Sequence, residues 1–447
     1  MPLAMKRTLL FLLYDTESPY KRELISASLI SDHLARRGYV IRWGKIEDHF
    51  LIDLIRPHAL LLPDTYNPEN MNAARYAHSR HVPVVTYESE VTYYPGPLAE
   101  CVVWGWNTAH EPLEDLCLVA GRHSYELAIA QGKDPARVRI GGFHRLDAMR
   151  PSRGMTKKTL LEKYQKTSFT NCVGYASWGF DNIVNRVHPL FQYYLDPQGS
   201  VLRVLRDQKV KIAAWLRGVI EAMPETLFVL KAHPAGGIED TEIANLDHFR
   251  NVLVIHREET AIDLIAACDT WIAWNSTTLL EAFVMKKPVI YPRFDADADF
   301  IALPTHAGAD IVDSVPTAVA TLNRYCLGNP LPPDSRRRQE ELIEYMAVSA
   351  DGRNSERAAT HIHHFLTTMT YFSNAALDWL CVKSLIRAAR RGLSIFLTDR
   401  LGIRLKVLKR WAGPNRFRRA TIRLFGRDLL AGMNEPAAPQ SASEPLA

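Results

Sequence analysis

The sequence predicts an α/β protein built from two doubly wound domains, each a mostly parallel sheet with helices on both faces. Three observations predict it. Short apolar runs alternate with stretches of helical periodicity along most of the chain, the order expected of a parallel sheet with crossover helices. The runs are continuous rather than alternating, which suits strands buried on both faces. The chain is 447 residues long, too long for one ordinary domain, and the pattern restarts after residue 165.

The first unit spans 1–165. RTLLFLLYD reads as its opening buried strand and RELISASLISDHLARRG as a helix stopped at Gly38. YVIRWGK is the next strand, DHFLIDLIRPH a short helix and ALLLPD a third strand. NPENMNAARYAHSRH reads as helix and VPVVTYES as strand. CVVWG is then read as strand, EPLEDLC as helix and CLVAG as strand. HSYELAIAQGKDPARV is helix, and RIGG closes the set.

The second unit spans 166–350. NCVGYAS is a strand, and LRDQKVKIAAWLRGVIEAMP a long helix with apolar residues at helical spacing. LFVLKAHP and NVLVIHR are strands, AIDLIAACD a helix and TWIAWNS a strand. TTLLEAFVMKKP is a helix and VIYPRFD the closing strand. Two more helices follow Pro333, in RRRQEELIEYMAV and ERAATHIHHFLTTMTYF, the second expected to cross back over 351–375.

Composition excludes several classes. Hydrophobic residues make up 47% and charged residues 23%, which fits a globular protein rather than a disordered chain. The six cysteines form no CxxC pair and no short Cys/His cluster, so neither a disulfide scaffold nor a zinc site is indicated. A reducing cytoplasm is the expected compartment. The opening apolar run ends at Asp15 and reads as a strand rather than an export signal. No apolar run approaches the roughly 20 residues needed to span a bilayer. The net charge is +5, but Ala376 to Asp428 carries 14 Lys/Arg against 3 Asp/Glu. Basic and large apolar residues interleave there, so 376–430 is expected to be a helical tail that meets an anionic membrane or a partner protein. A nucleic-acid surface is the rival for any basic patch, but the body carries no known nucleic-acid motif. Residues 431–447, rich in Pro, Ala and Ser, are expected to be disordered.

In such sheets ligands bind at the carboxyl ends of the strands. Two predicted strand ends stand out. LKAHPAGG ends one strand on Lys231 and His233 and then turns through a proline and two glycines. WNSTT ends another on Asn275, Ser276, Thr277 and Thr278 and opens a helix that contains Glu281. Hydroxyls and backbone N–H groups at a helix start suit a phosphate. Lys231 adds charge, and His233 can donate a hydrogen bond or protonate. Glu281 lies about one turn in, placed to accept ribose hydroxyls. Alone, NSTT is an ordinary N-cap and KAHP an ordinary strand end. Together, on one rim, they suggest a nucleotide-phosphate site.

Those elements resemble a known family. LKAHP with NSTTLLEAFVMKKPVIYP looks like the C-terminal half of GT-B glycosyltransferases of the bacterial capsule-polysaccharide group, which includes Kdo transferases, polysialyltransferases and glycerophosphate polymerases. IGGFHRLDAMRP, VVTYESE, Asp15 with Arg22-Glu23, and ADGRNSERAA resemble segments of its surface-carbohydrate branch. The resemblance spans about residues 8–365. It implies a GT-B fold, two Rossmann-like domains facing a cleft, with acceptor side first and donor side second. It also implies a nucleotide-sugar co-substrate, a glycan or lipid-linked glycan acceptor, and no metal or other cofactor.

Glycosyl transfer needs a carboxylate at the acceptor side, as base, nucleophile or ion-pair stabiliser. Glu88 and Glu90 end the fourth strand beside YYPGP, and i and i+2 point the same way. Glu90 matches the family's acidic position. Asp15 ends the first strand. Arg145 with Asp147 follows RIGGFH as a ligand contact or an ordering pair. Arg353 and Arg357, four apart, can clamp a diphosphate, close the two domains together or form surface ion pairs. Trp178, Asn182 and Asn185 lie in the loop that opens the second domain, a loop that the resemblance implies touches the nucleotide, and are candidate contacts to it. HIHHF puts His361 and His364 on one helical face, but no acid or cysteine keeps ligand spacing with them. The expected function is therefore transfer of a sugar, Kdo or another CMP-linked one, to a surface polysaccharide at the inner face of the cytoplasmic membrane. The alternatives are a non-hydrolysing UDP-GlcNAc 2-epimerase, which shares this two-domain fold, a glycerophosphotransferase, and a non-catalytic assembly protein.

Overall fold

The computed structural model describes residues 7–13, 22–90, 96–149, 155–178, 180, 200–233, 241–295 and 302–369. Within them the chain forms two six-stranded sheets in which every pairing is parallel. The first sheet holds β1 (Thr8–Leu13), β2 (Val40–Lys45), β3 (Ala59–Leu62), β4 (Val84–Tyr87), β5 (Leu116–Val119) and β6 (Val138–Ile140), in the order β2-β1-β3-β4-β5-β6. Its helices are α1 (Arg22–Arg36), α2 (Leu51–Ile55), α3 (Pro68–His78), α4 (Ala99–Trp104) and α5 (Arg122–Ala130). The continuous apolar runs of β1, β3 and β4 are buried on both faces. Residues 9, 11 and 13 of β1 pack on one side and residues 10 and 12 on the other.

The second sheet follows α6 (Lys157–Lys163) and holds β7 (Asn171–Ala176), β8 (Thr226–Lys231), β9 (Val252–Ile255), β10 (Thr270–Ala273), β11 (Val289–Pro292) and β12 (Asp310–Val312). Its order is β12-β11-β10-β7-β8-β9. The helices are α7 (Ser200–Ala222), α8 (Ala261–Ala267), α9 (Thr278–Val284), α10 (Val315–Cys326) and α11 (Pro333–Ala347). The strand order reverses between β1 and β3 in one sheet and between β7 and β10 in the other. Those reversals open crevices beyond the strand ends, where ligands of doubly wound sheets bind. The fold is thus GT-B-like, with two Rossmann-like α/β domains.

α12 (Asn354–Thr368) leaves the second sheet and packs on the first. Its Ala358, Ala359, Ile362 and Leu366 share a core with Leu9, Phe11, Ala27, Ile30 and Leu34. Arg37 donates to the Ala359 carbonyl at 2.8 Å, and Tyr39 hydrogen-bonds His363 at 3.0 Å. Asp147 caps its start, accepting the N–H groups of Asn354 at 3.0 Å and Ser355 at 2.6 Å. The cap presses on Gly142, whose φ is +88° and whose missing Cβ makes room for the Asn354 amide.

Two elements differ from the sequence reading. CVVWG is the end of helix α4, not a strand. Its apolar run is closed by Gly105 at φ 55°, where a Cβ would meet the Tyr66 backbone. Trp104 ties the helix to the Gln131 carbonyl at 2.8 Å. EPLEDLC is not a helix but an extended approach to β5. Asp115 there accepts the Val84 N–H at 2.8 Å, and Glu114 pairs with Lys133, so its polar groups are spent across the sheet. β12, α10 and α6 were not read from the sequence. The basic segment 376–430 and residues 431–447 lie outside the described residues. Among the described residues no helix is long and apolar enough to cross a membrane.

Candidate functional site

At the rim of the second sheet, β8 ends on Lys231 and β10 leads into the hydroxyl turn. β8 and β10 lie on either side of β7. Lys231 is half-buried and donates to the carbonyl of His256, just past the end of β9. His233 is half-buried two residues on, and Pro234 to Gly237 lie outside the described residues. Asn275 takes a left-handed φ of 49°. Its side-chain oxygen accepts the Leu303 N–H at 2.8 Å and its carbonyl accepts the Trp178 indole N–H at 3.0 Å. Ser276 Oγ accepts the Thr278 N–H at 3.3 Å, and Thr278 Oγ1 accepts the Trp271 indole N–H at 3.0 Å. Thr277 precedes α9 without capping it. α9 has only seven residues, so the turn works through its hydroxyls more than through a helix dipole.

Glu281 is not open to a ligand here. It is 1% exposed and ion-paired with the equally buried Arg145 of the segment after β6. Arg145 and Asp147 do not pair with each other: one reaches α9, the other caps α12. Arg353 bonds Glu356 at 2.8 Å, and Arg357 bonds Asp351, both as surface ion pairs.

The rim of the first sheet carries acids. Glu88 follows β4, is 8% exposed, and accepts the Ala120 N–H and, at 3.2 Å, the Ser124 hydroxyl. Burial pushes its carboxyl up to about 8 against the pull of those hydrogen bonds. Asp64 follows β3, beside the strand-order reversal. Burial raises it to about 6, although Asn70 and the backbone of Tyr66 and Asn67 stabilise its charge. Its oxygen takes the Asn67 and Asn70 amides at 2.6 and 2.8 Å. Asp64, Glu88, Glu90, Glu114 and Lys133 line one pocket with Tyr66. Lys133 is buried against Glu114 at 2.6 Å. Tyr66 is 40% exposed, and its hydroxyl is pushed up first by Asp64 and burial, then by Glu90, Glu23 and Glu88. His144, fully buried near Tyr87, is held neutral by burial, down to about 4.

The structure thus brings Glu88 and Glu90 together in one pocket, and places Lys231, His233 and Asn275 to Thr278 on one rim. Asp15, Asn182 and Asn185 lie outside the described residues. No group of three His, Cys, Asp or Glu fit to hold a metal occurs among the described residues, His361 and His364 included. Sequence reading missed Asp64, Tyr66 and Glu242. Glu242 is buried behind the second rim, where it accepts the Tyr175 hydroxyl at 2.8 Å and the Trp178 N–H at 3.1 Å. Its signal was weak, because IEDTE reads as a solvated loop.

No family model matches the sequence, and no curated protein does. Solved structures do. The S. aureus MnaA–UDP co-structure gives a TM-score of 0.54 at 15% identity, over 83% of this chain and 99% of that one. A putative UDP-N-acetylglucosamine 2-epimerase from Listeria monocytogenes gives 0.53 at 13%, over 83% and 100%. The wall teichoic acid polymerase TagF, soaked with CDPG, gives 0.51 at 12%, over 81% and 89%. At such identities the likeness is one of fold.

Proposed function

We propose that this chain is a glycosyltransferase that takes a nucleotide sugar at the rim of the second sheet and passes the sugar to an acceptor at the first. The observation that carries the reading is the second rim itself. Ser276 to Thr278 follow β10 at the β7/β10 reversal, where a doubly wound sheet binds its ligand, and Lys231 and His233 stand one strand away on the same rim, past the end of β8. Lys231, His233 and the turn stabilise charge growing on the leaving nucleotide. Glu90 acts on the acceptor hydroxyl or the anomeric centre, while Glu88 keeps its proton near neutral pH. Glu281 binds ribose only by exchanging Arg145 for it. The co-substrate supplies the chemistry, and no metal or other cofactor is invoked. The donor is Kdo or another CMP-linked sugar, and the acceptor a lipid-linked glycan of a surface polysaccharide. The basic 376–430 segment holds the enzyme to the anionic inner face of the membrane, by its composition.

One observation favours a second reading, epimerisation of a UDP-sugar. Asp64, Glu88, Glu90 and Glu114 share one pocket, with Glu88 raised to about 8 and Asp64 to about 6. Protonated and ionised carboxyls then coexist, as needed to take a proton from one face of a sugar and return it to the other. A thermal-shift screen of CMP, CDP, UDP, GDP and ADP against wild type and His233→Ala tests both readings. A shift with one nucleotide, lost in the variant, is expected; no shift with any overturns them. The matching nucleotide sugar is then incubated in D2O without acceptor. Deuterium entering the sugar favours epimerisation, and its absence favours transfer.

A further inference from the structure

The crevice between β7 and β10 is bridged by one side chain. Trp178 lies two residues past β7, and its indole N–H donates to the Asn275 carbonyl past β10 at 3.0 Å. Its backbone N–H donates to Glu242 Oε1 at 3.1 Å, an oxygen that also accepts the Tyr175 hydroxyl. The ring packs edge-on to Trp274, with centroids 4.9 Å apart and planes at 81°, and tilted to Phe180 at 4.9 Å and 58°. Three anchors therefore fix one side chain at the ligand end of the sheet. Burial separates it from its neighbours. Trp271 and Trp274 are sealed at 0% and 1%, as core tryptophans are, whereas Trp178 is only half-buried. Its single polar side-chain atom is already used. The part of its ring left exposed at this end of the sheet is pre-oriented and therefore cheap in entropy to bind against.

We propose that Trp178 is the stacking platform for the nucleobase of the bound nucleotide, an assignment that rests on the nucleotide-sugar reading above. A flat aromatic ring held in place favours stacking with another flat π ring. A pyranose also stacks its C–H face on such a ring, so the test must separate base from sugar. Stacking is tolerant of which base it meets, so Trp178 sets preference for a nucleoside over bare phosphate and leaves the choice among bases to other contacts. The Trp178–Asn275 bond also couples the platform to the turn that carries Ser276 and Thr277. Base and phosphates are thereby held on one rigid bracket.

The test is calorimetric titration of the full chain with UDP, CDP and pyrophosphate, for wild type, Trp178→Ala, Trp178→Leu and Trp178→Phe. The alanine and leucine variants are expected to weaken the nucleotide that binds by about tenfold or more and to leave pyrophosphate within about twofold. The phenylalanine variant retains stacking and stays within about threefold of wild type, and it loses the tryptophan quenching that the nucleotide causes in wild type. Equal weakening of nucleotide and pyrophosphate overturns the proposal, because it marks a general distortion of the rim. So does nucleotide binding unchanged in the leucine variant. Weaker binding of the nucleotide sugar alone, with the nucleotide unchanged, places the sugar on the ring and also overturns it. If the alanine variant does not fold, the leucine and phenylalanine pair decides. Failure of wild type to bind any nucleotide is a different result: it removes the functional reading and the platform with it.

Discussion

Glu88 is where burial and chemistry meet in one side chain. Its carboxyl is raised to about 8 from 4.5, first by burial, with a smaller push from Glu90. The native state therefore holds a proton that the unfolded chain has released. The stability this contributes is fully present below pH 4.5 and is lost as pH rises to about 8. Each pH unit inside that window removes up to about 1.4 kcal/mol for a group of this kind. Glu88→Gln keeps an acceptor for the Ala120 N–H and has no charge to bury. Urea midpoints at pH 4, 6.5 and 8.5 should match wild type at the lowest value and exceed it at the highest. Parallel curves would mean that Glu88 is ionised throughout. Glu88 and Glu90 were readable because they end an apolar run, and the end of such a run is a rim. Asp64 and Tyr66 were not, because only the strand order β1-β3-β4 tells that their loop meets the loop after β4.

At the scale of elements, α12 carries the first sheet's core from the far end of the sequence. Its cap depends on two residues of the Gly142–Asp147 segment. Gly142→Ala puts a methyl group into the Asn354 amide at a φ of +88°. It should destabilise the protein by about 2 kcal/mol or more, since strain and overlap add. Asp147→Ala removes only the acceptor for two N–H groups and should cost about 1 kcal/mol. Chemical denaturation checks both, and the order of the two values is the sharper test. An Asp147→Ala effect larger than that of Gly142→Ala would place the strain elsewhere. The sequence displayed most of the elements, because the strands are continuous apolar runs and the helices are amphipathic. It misread α4, where four apolar residues in a row fit a short strand as well as a buried helix turn. Only Gly105 against Tyr66 and Trp104 against Gln131 decide between them. β12 is a three-residue edge strand, too short to show any period.

At the scale of the molecule, Arg145 and Glu281 join the segment that follows the first sheet to the helix that opens from the second rim. Both are almost wholly buried. A buried ion pair is not in itself strongly stabilising, since each charge has left water. Breaking it is a different matter. Arg145→Met leaves the Glu281 carboxylate buried without its partner and should cost about 3–5 kcal/mol. Glu281→Leu strands the guanidinium and should cost a similar amount. The double variant replaces both charges with apolar volume and should recover most of the loss, so the cycle should show a large coupling energy. The fold alone makes that prediction. The functional reading adds another: if a ribose draws Glu281 away from Arg145, bound nucleotide must weaken the pair. The coupling energy measured with saturating nucleotide should then fall well below that of the free protein. An unchanged coupling would keep Glu281 as a strut between the two sheets and move ribose recognition to another residue of the second rim.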